Sequence, residues 1–263
     1  MKIKLTIAFC LSYLFLITSN VDVLAKSIEQ EGTIGFDAAL IPPQVVDPEK
    51  PVKPVNPGPS PLTEGFLRID FVPKLDFGRN RLSVKDQYYH ANAQLFEDET
   101  GPRGNFVQIT DSRANSAGWT LQVRQETDFM IAKDEKSQLK GSYISLDKTW
   151  TNSTMDKKYA PSLINDVIKI DKIKTTYDLA KADKGKGQGI WSVEFGASDE
   201  NESGQDSTLT PLVDETGQPV LDPNFNNKQI HKNDAVTFFV PGSSDRVAGK
   251  YQTVLTWILS ELP

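Results

Sequence analysis

Beyond about residue 62, apolar and polar positions alternate in short runs. The clearest are Gly118-Trp119-Thr120-Leu121-Gln122-Val123 and Tyr251-Gln252-Thr253-Val254-Leu255-Thr256-Trp257-Ile258-Leu259. A period of two marks a strand with one face buried, because successive side chains point to opposite faces. The same reading predicts strands over 66–71, 88–96, 106–111, 119–125, 138–147, 164–170, 175–179, 189–195, 209–213, 235–240 and 249–259. Glycine- and proline-bearing turns separate them, among them Thr100-Gly101-Pro102-Arg103-Gly104, Lys184-Gly185-Lys186-Gly187 and Pro241-Gly242. No window has the period and caps of a long amphipathic helix. Many short strands without crossover helices predict an all-β fold, an antiparallel β-sandwich of Ig-like or Greek-key type with long loops and at most short helices, one of them within 130–138. The run 249–259 is the longest and most continuously apolar, which predicts a central strand buried on both faces.

The N-terminal pattern is different. Lys2 and Lys4 precede an apolar stretch from Leu5 to Ile17, and Val23-Leu24-Ala25 places a small residue at a cleavage position, so residues 1–25 read as a secretory signal peptide. The stretch is shorter than the roughly 20 apolar residues of a membrane span. A mature chain without a membrane span is therefore expected. Residues 26–41 are too few to bury a core and read as an N-terminal arm, either disordered or added as a strand to the main sheet. Residues 42–61 hold eight of the sixteen prolines and predict an extended, semi-rigid spacer. Residues 62–263 are long enough for one well-buried domain.

Composition narrows the chemistry. Cys10 is the only cysteine and lies in the signal, so the exported chain has neither a disulfide nor a thiolate metal site. Removing the signal takes Lys2, Lys4 and Asp22 with it and moves the formal net charge from −6 to −7. An acidic chain without a basic, aromatic-laced block is not expected to bind nucleic acid, and bulk charge does not favour anionic wall polymers either. His90 and His231 lack the neighbours of a nucleophilic or zinc site, so no catalytic residue, metal site or cofactor is expected. The acidic run Asp199-Glu200-Asn201-Glu202-Ser203-Gly204-Gln205-Asp206 offers oxygen ligands for calcium, but lacks the spacing of a defined calcium loop and reads as a solvated loop.

Two tripeptides remain, Trp119-Thr120-Leu121 and Trp257-Ile258-Leu259. Their flanks add to them: the stretch Gly65-Phe66-Leu67-Arg68-Ile69-Asp70-Phe71-Val72-Pro73-Lys74-Leu75-Asp76-Phe77-Gly78 and the ending Leu255-Thr256-Trp257-Ile258-Leu259-Ser260-Glu261-Leu262-Pro263. In these features the chain resembles the WxL family of surface proteins from low-GC Gram-positive bacteria. The resemblance implies an exported, non-enzymatic protein, bound to the cell wall at the cell surface by non-covalent attachment to peptidoglycan. It also implies partnership with a WxL-interacting surface protein. An adhesin or carbohydrate-binding module is the alternative, and a wall- or polysaccharide-processing enzyme a more distant one. In either strand Trp119 and Leu121, or Trp257 and Leu259, share one face. Those four residues are expected either to contact wall or partner, or to fill the core of the binding domain.

Overall fold

The alternation seen in the sequence becomes antiparallel pairing in space. The computed structural model describes residues 43–262, apart from 116, 132–136 and 165–166. The expected signal peptide (1–25) and N-terminal arm (26–41) lie outside the described residues.

One sheet has the order β1 (Leu67–Phe71), β3 (Asn105–Asp111), β11 (Gly189–Phe195), β7 (Thr149–Asn152). A second runs β17 (Leu255–Glu261), β4 (Trp119–Gln125), β10 (Thr176–Ala182), β8 (Ser162–Leu163). The third runs β12 (Leu209–Pro211), β15 (His231–Val240), β6 (Tyr143–Asp147), β9 (Val167–Ile170), with β2 (Gln87–Asn92) also paired to β15. Two small ribbons complete the set: β13 (Leu221–Asp222) with β14 (Lys228–Gln229), and β5 (Met130–Ile131) with β16 (Tyr251–Gln252). Every pairing is antiparallel, and the only described helices are single 3-10 turns at Lys157–Tyr159 and Pro223–Phe225. This is the all-β antiparallel sandwich expected from the sequence.

One core gathers the inward faces of the three sheets: Val107, Ile109 and Val193 from the first, Trp119, Leu121, Val123 and Leu179 from the second, Ile144, Leu146, Val236 and Phe238 from the third. β4 shows how the period works. Trp119, Leu121, Val123 and Gln125 are buried while Thr120, Gln122 and Arg124 alternate with them on the half-exposed side. All of β3 is buried, so its sheet is covered on both faces.

What covers the second face is the proline-rich segment, and this corrects the expectation of a free spacer. Residues 45–55 fold back as a short hairpin, with Val46 bridging to Pro54, Val55 N–H donating to Val45 O (3.0 Å) and Asp47 N–H to Lys53 O (2.7 Å). Val45 and Val55 lean on the buried rings of Phe71, Phe96 and Phe106. Proline forbids a central strand because it lacks an N–H, yet here the amides of the intervening Val46, Asp47, Lys53 and Val55 supply the bonds, while Pro48 and Pro51 fill the bend and turn between the two arms and Pro54 needs to donate none. The segment is therefore packed against the domain from at least Gln44 onward.

Three further expectations change. The run 249–259 is broken at Thr253 and Val254 into β16 and β17, and among the described residues β17 is an edge strand, not a central one. Met130 and Ile131, expected at the start of a short helix, form β5, and 132–136 lie outside the described residues. β7, with Trp150 facing the sheet, was not anticipated from its four-residue pattern.

Candidate functional site

The two Trp-x-Leu tripeptides, 138 positions apart, lie side by side. β4 and β17 pair so that Leu121 stands opposite Leu259, Val123 opposite Trp257 and Trp119 opposite Glu261. The leucines of the two motifs thus meet directly, and the tryptophans lie on either side of them.

Their environments differ. Trp119 and Leu121 are completely buried. The Trp119 indole N–H donates to Gly187 O at 3.1 Å, so the polar tip of a buried ring has its partner. Gly187 has φ +73°, and a Cβ there would lie 2.5 Å from Trp119 Nε1, so the turn before β11 needs glycine both for its backbone and for room. Trp257 and Leu259 are half-buried and pack against the same core from the sheet edge, with the Trp257 ring 6.4 Å from that of Phe195. At the base of the pair Arg113 donates to Asp111 (2.8 Å) and to Gly118 O (2.9 Å), and it stands 2.7 Å from a Glu261 carboxylate oxygen. Its pKa is raised, chiefly by the Asp111 hydrogen bond. The residues between each Trp and Leu, Thr120 and Ile258, face the other way, onto a surface with Gln122, Arg124, Thr256 and Asp178. That surface is knit by Gln122 Nε2 to Asp178 (2.5 Å) and by Arg124 and Thr256 to Glu126 (2.9 and 2.5 Å).

A second polar constellation lies under the proline-rich hairpin, and sequence reasoning did not find it. Arg103 is buried and donates to both carboxylate oxygens of Asp47 (2.9 and 3.0 Å), with Glu49 Oε2 3.4 Å away. Burial works against its charge, but the hydrogen bonds and fields of Asp47, Glu49 and Glu200 prevail and raise its pKa. Glu49 accepts from the Ser198 N–H at 2.6 Å and from the Ser198 hydroxyl; burial outweighs these contacts and raises its pKa. Glu194 on β11 is wholly buried, and neither carboxylate oxygen has a hydrogen-bond partner among the described residues. Burial, reinforced by Glu49 and Asp47 and only partly offset by Arg103, pushes its pKa well above 4.5. Nearby, Gln108 accepts from Val46 N–H (2.9 Å) and donates to Gln44 O (2.8 Å) and Asp70 (2.9 Å). Hydrogen-bonded partners in this network are up to 149 positions apart, and no local spacing announces them.

The remaining candidates are dispersed. His90 Nδ1 lies 3.4 Å from Asp234, and His231 Nδ1 lies 3.1 Å from Gln229 O. The acidic run is an ordered turn in which Asn201 bonds to Ser198, Ser203 and Gln205 while Glu200 reaches Arg103 at 3.1 Å. Among the described residues no group of three or more acidic or histidine side chains is arranged to hold a metal ion, and no helix is long and apolar enough to cross a membrane. Among the described residues, two concavities measure about 100 and 140 Å³, the first lined by Pro102, Glu200, Leu209 and His231 and the second by Trp150, Gly196 and Gln205.

Comparison with curated proteins and with solved structures gives no match. A family model described as WxL domain surface cell wall-binding matches residues 23–263. That span takes in both motifs, the strands that bring them together and the hairpin that covers the opposite face, so the chain belongs to the WxL family and carries its surface cell wall-binding domain.

Proposed function

We propose that this protein is exported through residues 1–25 and works without catalysis, attaching non-covalently to peptidoglycan at the cell surface and assembling there with a WxL-interacting surface protein. The observation that carries this reading is the convergence of the two Trp-x-Leu motifs on neighbouring strands of a domain whose family binds the cell wall. Trp119 and Leu121 serve as the core of that domain, and Trp257 and Leu259, half-buried at the sheet edge, are the members of the set available to a partner. Recognition over a surface is the reading adopted, with the polar side of β4, β10 and β17, knit by Gln122 with Asp178 and by Arg124 and Thr256 with Glu126, as the candidate face. The domain proposed here begins before Leu62, since residues 44–56 hydrogen-bond to β3 and to its flanking loops.

The test is co-sedimentation of residues 26–263 with Gram-positive sacculi. Binding is expected at physiological salt and is expected to weaken little between low and moderate ionic strength, because an acidic chain gains nothing from ion exchange on wall polymers. Protein that stays in the supernatant at every concentration would refute the attachment, and release of reducing sugar or peptide from the sacculi would refute the non-enzymatic reading.

A further inference from the structure

β17 is the terminal strand of its sheet, and among the described residues no strand pairs with its outer edge. Edges of this kind are ordinarily protected by proline, lysine, a bulge or a covering loop. Leu255-Thr256-Trp257-Ile258-Leu259-Ser260-Glu261 has no proline or lysine, pairs with β4 without a bulge, and has a single charged residue at its end. On the neighbouring β4 the core-facing Trp119, Leu121 and Val123 are wholly buried. Leu255, Trp257 and Leu259, their counterparts on β17, are each only half-buried. The seam is apolar and incomplete.

The backbone direction can be read from the ladder. Glu126 N–H donates to Val254 O (2.9 Å) and Leu262 N–H to Gly118 O (3.2 Å), and these pairs continue the β4–β17 register. In an antiparallel ladder, hydrogen-bonded and non-bonded pairs alternate. Thr256, Ile258 and Ser260 therefore turn their amides and carbonyls toward β4, whereas Leu255, Trp257, Leu259 and Glu261 aim theirs outward.

We propose that this edge pairs with itself: two copies of the chain join antiparallel along β17 about a twofold axis at Ile258. The sequence is complementary to its own reverse in this register. Trp257 meets the partner's Leu259 and Leu259 meets the partner's Trp257, as hydrogen-bonded pairs whose side chains lie on the core-facing side. Thr256 meets the partner's Ser260, hydroxyl to hydroxyl, on the other side. Leu255 meets the partner's Glu261, so no like charges are opposed, and Arg113, 2.7 Å from Glu261, already balances that carboxylate. Cross-strand apolar and hydroxyl pairs of this kind stabilise a sheet, and the isologous arrangement closes as a dimer and does not propagate. Pairing of one seven-residue strand places the interface at the small end, below about 1,200 Å², so the association is weak in dilute solution and favoured where copies are concentrated on a surface.

The experiment uses residues 26–263, which contain no cysteine. Sedimentation over a wide micromolar range is expected to show the average mass rising toward about twice that of the monomer. In Ile258→Cys the new thiols face each other at a non-hydrogen-bonded pair, where Cα atoms stand about 4.5 Å apart, within disulfide range, so mild oxidation is expected to give a covalent dimer. Ser260→Cys, displaced from the axis, is expected to cross-link at least tenfold more slowly. Ile258→Lys sets two cations together at the axis and is expected to abolish the mass increase while leaving the melting transition near that of the parent. A chain that remains monomeric throughout, equal cross-linking of the two cysteine variants, or a lysine variant that dimerises like the parent would each overturn the proposal. The cysteine pair keeps it testable if the lysine variant does not fold.

Discussion

At the scale of single residues, the two motif tryptophans are chemically alike and energetically different. Trp119 is enclosed on an interior strand with its N–H bonded to Gly187 O, and Trp257 lies half-buried on an edge strand. Trp119→Ala is expected to cost about 3–5 kcal/mol through lost transfer energy and the cavity left behind. Trp257→Ala is expected to cost less, about 2 kcal/mol, because part of the ring already meets water. Urea unfolding of the two variants checks the order, and it reverses what the apolar length of 249–259 implied. Glu194 gives a residue-scale prediction of another kind. Glu194 and Glu49 have raised pKa values in the fold, so the folded chain holds protons that the unfolded chain releases above its ordinary 4.5. Their contribution to stability is fullest below about pH 4.5 and is lost as pH rises through the raised folded values. Asp98 is lowered from 3.8, where hydrogen bonds from Thr100 and Asn56 outweigh burial, and acts below that window. Melting temperature is therefore expected to fall as pH rises above 4.5 through the raised folded values, and Glu194→Gln is expected to flatten that slope and to raise the melting temperature on its alkaline side. Melting curves across that range decide it; an unchanged slope would remove Glu194 as the cause.

At the scale of elements, the proline-rich hairpin is the instructive case. It is attached by a buried bidentate pair, Asp47 with Arg103, by Glu49 with Ser198, and by backbone bonds to Gln108 and Asn152. Breaking a buried ion pair at one partner costs about 3–5 kcal/mol where the other charge must stay buried. A surface hairpin has another recourse, since it can lift and let water reach Arg103. Asp47→Ala is accordingly expected to release residues 45–55 locally, with the sandwich still folded. Hydrogen exchange would show this as lost protection at the Val46, Lys53 and Val55 amides while β3 and β4 stay protected. Loss of protection in all of them together would mean that the hairpin and the sandwich form one cooperative unit.

At the scale of the whole molecule, the sequence by itself determined the fold class and the family. Alternation is a local property, so β4 and β11 were legible to the residue, and the turns between strands were visible in their glycines and prolines. The two tripeptides were equally legible, and with their flanks they pointed to the WxL family that residues 23–263 match. Periodicity tells which residues share a face, but not which strand lies beside which. Only the tertiary structure made β17 an edge, because strand order depends on pairings between distant segments, and only it placed Leu121 against Leu259. The prolines of 42–61 correctly excluded a central strand, yet the choice between a free spacer and a docked hairpin rested on partners far along the chain, Arg103, Gln108 and Ser198. The buried carboxyl of Glu194 is a product of the same closure: nothing in its local sequence distinguishes it from a solvated glutamate until the hairpin folds over it and removes water.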